Sequence, residues 1–165
     1  QAVEIDDAHY WDGGYTGNPA LFPLFRNELP ADIVVVNINP LERAEVPRSA
    51  QDIQNRINEI SFNSSLFREL RSIEFVKQLI RDGKISPHEM KDIKIHSVAD
   101  DDTMTKLSLA TKLMPSPALL NQLKLAGRLS METFLDRYAE KIGVETTCPI
   151  HAMIDGADVP SAQGF

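Results

Sequence analysis

Ile33-Val34-Val35-Val36-Asn37-Ile38, held between Pro30 and Pro40, is a run dominated by β-branched residues. A strand with one wet face alternates apolar with polar positions, whereas one apolar throughout is buried on both faces, as in a parallel sheet covered by helices. This run therefore sets the fold class as α/β, with a mostly parallel and mostly buried sheet of which the chain holds a part. On its N-terminal side, residues 1–6 and 9–11 read as two short strands around a turn at Asp6-Asp7-Ala8. Asn18 suits an N-cap and Pro19 the first helical position, so a short helix is predicted from there to about Arg26.

On the C-terminal side, Leu41 to Pro47 reads as loop. Ser49-x-x-Asp52 opens like a capping box, and Ile53, Ile57 and Ile60 follow at helical spacing. Leu66, Leu70, Ile73, Val76, Leu79 and Ile80 continue the stripe to a stop at Gly83, in one long helix or in two broken near Asn63-Ser64-Ser65. Ile93, Ile95 and Ser97 alternate with Lys94, His96 and Val98, a strand with one less apolar face. Asp100-Asp101-Asp102 reads as loop. Ser116-Pro117 and Gly127 bracket one helix; Ser130 and Gly143 bracket another, carrying Phe134, Leu135, Tyr138 and Ile142. The stripes from Phe62 to Ile80 and from Leu119 to Ile142 are core faces on this reading, with a lipid-facing patch as the alternative. The tail, residues 155–165, is rich in small residues, Gly and Pro, and reads as draped over the surface.

The 165 residues suffice for one domain with a core, and 42% hydrophobic with 25% charged residues is ordinary for a soluble globular protein. A net charge of −7 argues against nucleic acid as a partner and against anionic headgroups as an anchor, so peripheral membrane contact would rest on apolar surface. The lone Cys148 excludes an intrachain disulfide framework, and no run of 18 apolar residues is present. The expected setting is soluble, cytoplasmic or peripheral to a membrane. Because the sequence opens within a strand and without an initiator Met, a piece of a longer protein is expected.

The strongest chemical signal is Asp12-Gly13-Gly14, a carboxylate on a glycine turn just after the short strand His9-Tyr10-Trp11. Glycine there permits positive φ and close approach of backbone or substrate. Asp-Gly alone is a common turn dipeptide, in which Asp bonds its own backbone. The fuller string, Tyr10-Trp11-Asp12-Gly13-Gly14-Tyr15-Thr16-Gly17-Asn18-Pro19-Ala20-Leu21, tips the balance to a functional reading, since it closely resembles the aspartate motif of patatin-like phospholipases. Val36-Asn37-Ile38-Asn39-Pro40 with the helix from Ser49 through Arg71, and the segment from Leu119 through Gly127-Arg128 to Phe134-Leu135, are similar to a bacterial branch of that family.

The resemblance implies a three-layer α/β/α fold and a serine hydrolase of lipid or other acyl esters working through a Ser–Asp dyad. Asp12 matches the dyad aspartate; Gly13 and Gly14 are then shape residues, Asn18 a cap, and no metal or cofactor is implied. The chain has no G-x-S-x-G, where the family carries its nucleophile. It would then be the C-terminal part of one patatin-like domain: residues 1–40 the end of the catalytic sheet, 49–154 mainly covering helices, 155–165 a tail. Its implied partners are an acyl-ester substrate and an N-terminal fragment bearing the serine, without which it would be inactive. Trp11 and Tyr15 are the expected apolar wall that would raise the basicity of Asp12.

Other candidates weigh less. His88, His96 and His151 have no metal-binding spacing, and Cys148-x-x-His151 lacks a second pair, so packed or exposed histidines are expected. Asp100-Asp101-Asp102 lacks the Gly and distal Glu of a calcium loop. Ser64 and Ser65 lack the flanking glycines of a nucleophile elbow and read as surface or helix-break residues. The alternative to the hydrolase is a non-catalytic helical interaction module derived from one, folding alone and binding a partner through the helices beyond residue 50.

Overall fold

A computed structural model describes residues 2–107, 111 and 114–155. Val3–Ile5 (β1) and Ala8–Tyr10 (β2) form an exposed antiparallel hairpin, turned by Asp6 and Asp7 at positive φ of 49° and 62°. This hairpin is a sheet of its own and does not join the strands that follow. The expected helix from Pro19 to Arg26 is absent: the segment holds only a 3-10 turn at Phe22–Phe25. Pro23 accounts for this. It has no N–H for the Pro19 carbonyl, and its ring would collide with that oxygen in an α-helix. Asn18 therefore caps nothing; its N–H donates to Ser65 Oγ at 3.0 Å. Ser65 is buried at that contact, neither a surface residue nor a helix break.

Asp32–Asn37 (β3), Ala50–Arg81 (α1) and Lys94–Ala99 (β4) form a β-α-β unit, with β3 and β4 parallel from Asp32 opposite Lys94 to Asn37 opposite Ala99. The class is α/β. Ser49 starts α1 by accepting the Asp52 N–H at 3.1 Å, and its own hydroxyl donates to Asp52 Oδ2 at 2.6 Å. The helix runs unbroken through Asn63-Ser64-Ser65. It stops where Gly83, at φ +68°, donates to Ile80 and Lys84 donates to Leu79, the glycine-terminated pairing that satisfies the last carbonyls.

One sheet face, with Ile33, Val35 and Ile95, packs on Leu66, Leu70 and Ile73 of α1 and on Cys148 and Ile150 at the start of Ile150–Asp155 (α4). Each such side chain contributes about 1.5–3 kcal/mol by leaving water. The other face is only half covered. His96 meets Phe134 of Pro117–Tyr138 (α3) edge-on at 6.0 Å, while Val34 and Val36 of β3 are 41% and 67% exposed. Within the described residues β3 is thus buried on one face, not on the two that its apolar run predicts. Residues 146–148 bond the outer edge of β4 through Ile95, and no described strand pairs with the outer edge of β3.

Three further expectations change. Asp100 is an N-cap, accepting the Thr103 N–H at 2.9 Å, so the acidic triplet opens a short helix, Asp101–Thr105 (α2), rather than lying in a loop. Residues 117–138 form one helix, not two. Ser116 caps it, Gly127 lies inside it at a propensity cost of about 1 kcal/mol, and Ser130 Oγ donates back to the Ala126 carbonyl at 3.0 Å. Of the two core stripes, Leu66, Leu70 and Ile73 of α1 are buried as expected, whereas Leu120, Leu125, Leu129 and Leu135 of α3 are exposed and Phe134 is the buried residue there; ahead of the α1 stripe, Ile53, Ile57 and Ile60 are exposed. Of the tail, residues 156–165 lie outside the described residues.

Candidate functional site

Asp12 stands directly after the hairpin and organises its own turn. Its Oδ1 accepts the Gly14 N–H at 2.8 Å and its carbonyl accepts the Tyr15 N–H at 3.2 Å, capping the 3-10 turn Gly13–Tyr15. This is the local backbone bonding expected of an Asp-Gly turn, and it leaves the carboxylate exposed with Oδ2 unbonded among the described residues. The glycines act differently from expectation. Neither takes a positive φ, which among described glycines belongs to Gly83 and Gly143. At Gly14 an added Cβ would press on Asp12 Oδ1 at 3.1 Å and meet Phe62 Cε1 in ordinary contact at 3.5 Å; around Gly13 the space is open. Trp11 is 69% exposed and Tyr15 is exposed too, so they do not wall Asp12. The reason is that nothing described covers the short hairpin, and Tyr15 leans instead on Phe62, with ring centroids 6.1 Å apart.

Phe62 links this turn to an open cleft of about 580 Å³ at the carboxyl ends of β3 and β4. Val36, Ile38, Phe62, Val98, Met104 and Leu123 give it apolar walls, and Asn18, Asn39 and Asp100 add polar groups. In open α/β sheets the crevice outside the strands' carboxyl ends is where ligands bind. Asn18, expected as a helix cap, instead lines this cleft and the groove beside β3. Asp12, Gly13, Gly14 and Asn18 thus stay together on one segment, which adjoins the cleft through Gly14 and Phe62.

Two buried polar constellations escaped the sequence reading. The first is on α1, where Asn55, Glu59 and Asn63 occupy the inward face. Glu59 is 1% exposed and accepts a two-pronged bond from Arg43, Nε to Oε2 at 2.8 Å and Nη2 to Oε1 at 2.7 Å. Arg56 Nη1 reaches Oε2 at 3.3 Å and Asn55 Nδ2 reaches Oε1 at 3.2 Å. Asn55, Glu59 and Asn63 recur every four residues, a helical period that was available in the sequence but was masked by the apolar Ile53, Ile57 and Ile60.

The second centres on His96, fully buried, with Nε2 3.0 Å from Asp32 Oδ1 and Nδ1 2.9 Å from Thr147 Oγ1. Gly143 N–H also donates to Asp32 Oδ1, at 2.6 Å. Burial works to raise the Asp32 pKa, but the bonds from His96 and Gly143 and the nearby positive charge outweigh it and hold the carboxyl below its ordinary value. Asp101 goes the other way: burial raises it, with Asp100, Asp102 and Glu42 adding repulsion against a bond from the Leu41 backbone. His151 is exposed and lies 2.9 Å from Glu74. Among the described residues no three His, Cys, Asp or Glu are grouped as a metal ion would need, and no helix is long and apolar enough to cross a membrane. Compared with known proteins, the chain matches no family model, no curated protein and no solved structure.

Proposed function

We propose that residues 1–165 are the C-terminal part of a patatin-like serine acyl hydrolase, a phospholipase or esterase, and that Asp12 is the carboxylate of its Ser–Asp dyad. The observation that carries this reading is the Asp12 turn: one carboxylate oxygen is tied to Gly14 N–H, the other is exposed, and the turn abuts an apolar cleft at the strand ends. The parallel pair with helices against both faces is compatible with a three-layer α/β/α sheet, and the unpaired edge of β3 is where further strands would join. The serine and the oxyanion donors then belong to polypeptide outside residues 1–165.

In such a site Asp12 Oδ1, fixed by Gly14, aims Oδ2 at the serine hydroxyl. Oδ2 accepts the hydroxyl proton as the serine oxygen attacks the ester carbonyl, and returns it to the leaving alkoxide as the tetrahedral intermediate collapses. Water repeats the cycle to release the acid. Residues 1–165 alone lack the G-x-S-x-G nucleophile motif and are inactive on this reading. The test is Asp12→Asn in protein that includes the serine-bearing part: kcat/KM on a p-nitrophenyl acyl ester should fall about a thousandfold. Unchanged turnover would remove Asp12 from the dyad.

A second reading, the non-catalytic interaction module, is favoured by the exposed Leu120, Leu125 and Leu129 of α3. It requires residues 1–165 to unfold cooperatively as a lone monomer with the β3 edge left open.

A further inference from the structure

The Glu59 constellation joins the two segments that leave the carboxyl ends of the parallel strands. After β3, the Pro40 carbonyl accepts Asn63 Nδ2 at 2.9 Å and the Leu41 carbonyl accepts Arg56 Nη2 at 3.2 Å. After β4, the Thr105 carbonyl at the end of α2 accepts Arg43 Nη1 at 3.0 Å. Arg43 and Arg56 are themselves held by Glu59, so one buried carboxylate on α1 fixes both segments. Those segments supply Ile38 and Asn39 on one side of the cleft, and Met104 and Leu107 on the other.

A buried ion pair is a poor way to gain stability, because desolvating both charges consumes most of their attraction and apolar pairs of similar volume do as well or better. What it provides is geometry, since the planar fork of Arg43 on a carboxylate admits few arrangements. We infer that Glu59 is a positioning residue: through Arg43 and Arg56 it sets the separation of the Ile38 and Met104–Leu107 walls, and thereby the length of acyl chain that the cleft accepts. The acyl part rests on the hydrolase reading; the positioning part does not.

The test compares wild type with the double variant Arg43→Met/Glu59→Leu, which removes the two-pronged pair and leaves the partly exposed Arg56 to water and to the Leu41 carbonyl. Its unfolding midpoint should stay near that of wild type. Amide exchange in residues 38–43 and 101–107 should nevertheless rise about tenfold, with β3, β4 and the middle of α1 unchanged. Should the double variant not fold, Glu59→Gln, which keeps the shape and drops the charge, should show the same localised rise. Protection unchanged in both segments would overturn the assignment, as would a rise spread evenly over the molecule. In parallel, saturated fatty acids from octanoate to stearate compete against cis-parinaric acid for the same chain. Wild type should prefer one length, and the double variant should lose about tenfold of that discrimination, the scale of a single methylene in an apolar pocket. A preference surviving loosened walls would overturn the specificity role. If no fatty acid binds wild type while the localised exchange rise is seen, the positioning role stands and the hydrolase reading loses its cleft.

Discussion

Asp32 links stability to pH. Its carboxyl is held below the ordinary value of 3.8, so its contribution is fully present above that value and is lost as pH falls through the lower folded pKa. The unfolding midpoint should therefore be flat in this term near neutrality and decline from about pH 4 downward. Asp32→Asn should remove that part of the decline and cost about 2 kcal/mol at neutral pH, since the bonds from His96 and Gly143 N–H lose a charged acceptor. Denaturant titrations across pH check both. Cys148 gives a second expectation at this scale. Burial pushes its thiol up to about 11, so iodoacetamide should label the native protein at neutral pH far more slowly than the unfolded chain, as mass spectrometry would read. Equal rates would mean that the Ile33–Ile95–Cys148 core is open in solution.

Among the elements, α1 separates what local sequence decides from what packing decides. Leu70→Ala, at the centre of the core, should cost about 3 kcal/mol, whereas Ile57→Ser on the exposed face should stay within about 0.5 kcal/mol. A large loss at Ile57 would show that this face is covered. Gly127→Ala, with no atom near the added Cβ, should stabilise by about 1 kcal/mol. The ends of α1 were legible because Ser49, Asp52 and Gly83 act within one turn. The inward side of α1 was legible from Leu66 to Ile73 but not in the turns before, where the loop after β3 decides: Pro40, Leu41 and Arg43 place bond partners against Asn55, Arg56, Glu59 and Asn63 and leave the isoleucines outside. The missing helix after Asn18 has a local cause, Pro23, that was legible but was outweighed by the favourable Asn18-Pro19 start.

For the whole molecule, the α/β class and the β3–α1–β4 order follow from three patterned segments, whereas the unpaired face and edge of β3 do not. An all-apolar strand states how many neighbours it needs, not which chain brings them. A groove of about 320 Å³ runs beside that edge, between β3 and the segment from Asn18 to Leu24, and an open apolar edge is an aggregation hazard unless something closes it. Asp12 was legible as a turn carboxylate, whereas the cleft beyond Phe62, built by residues from 18 to 130, was not. The direct test of a Ser–Asp site completed by Asp12 is intact-mass analysis of the protein after reaction with a fluorophosphonate serine probe, on wild type and on Asp12→Asn. A label on a serine outside residues 1–165, lost in Asp12→Asn, is the expected result; a label on one of this chain's own serines, or labelling indifferent to Asp12, would contradict it.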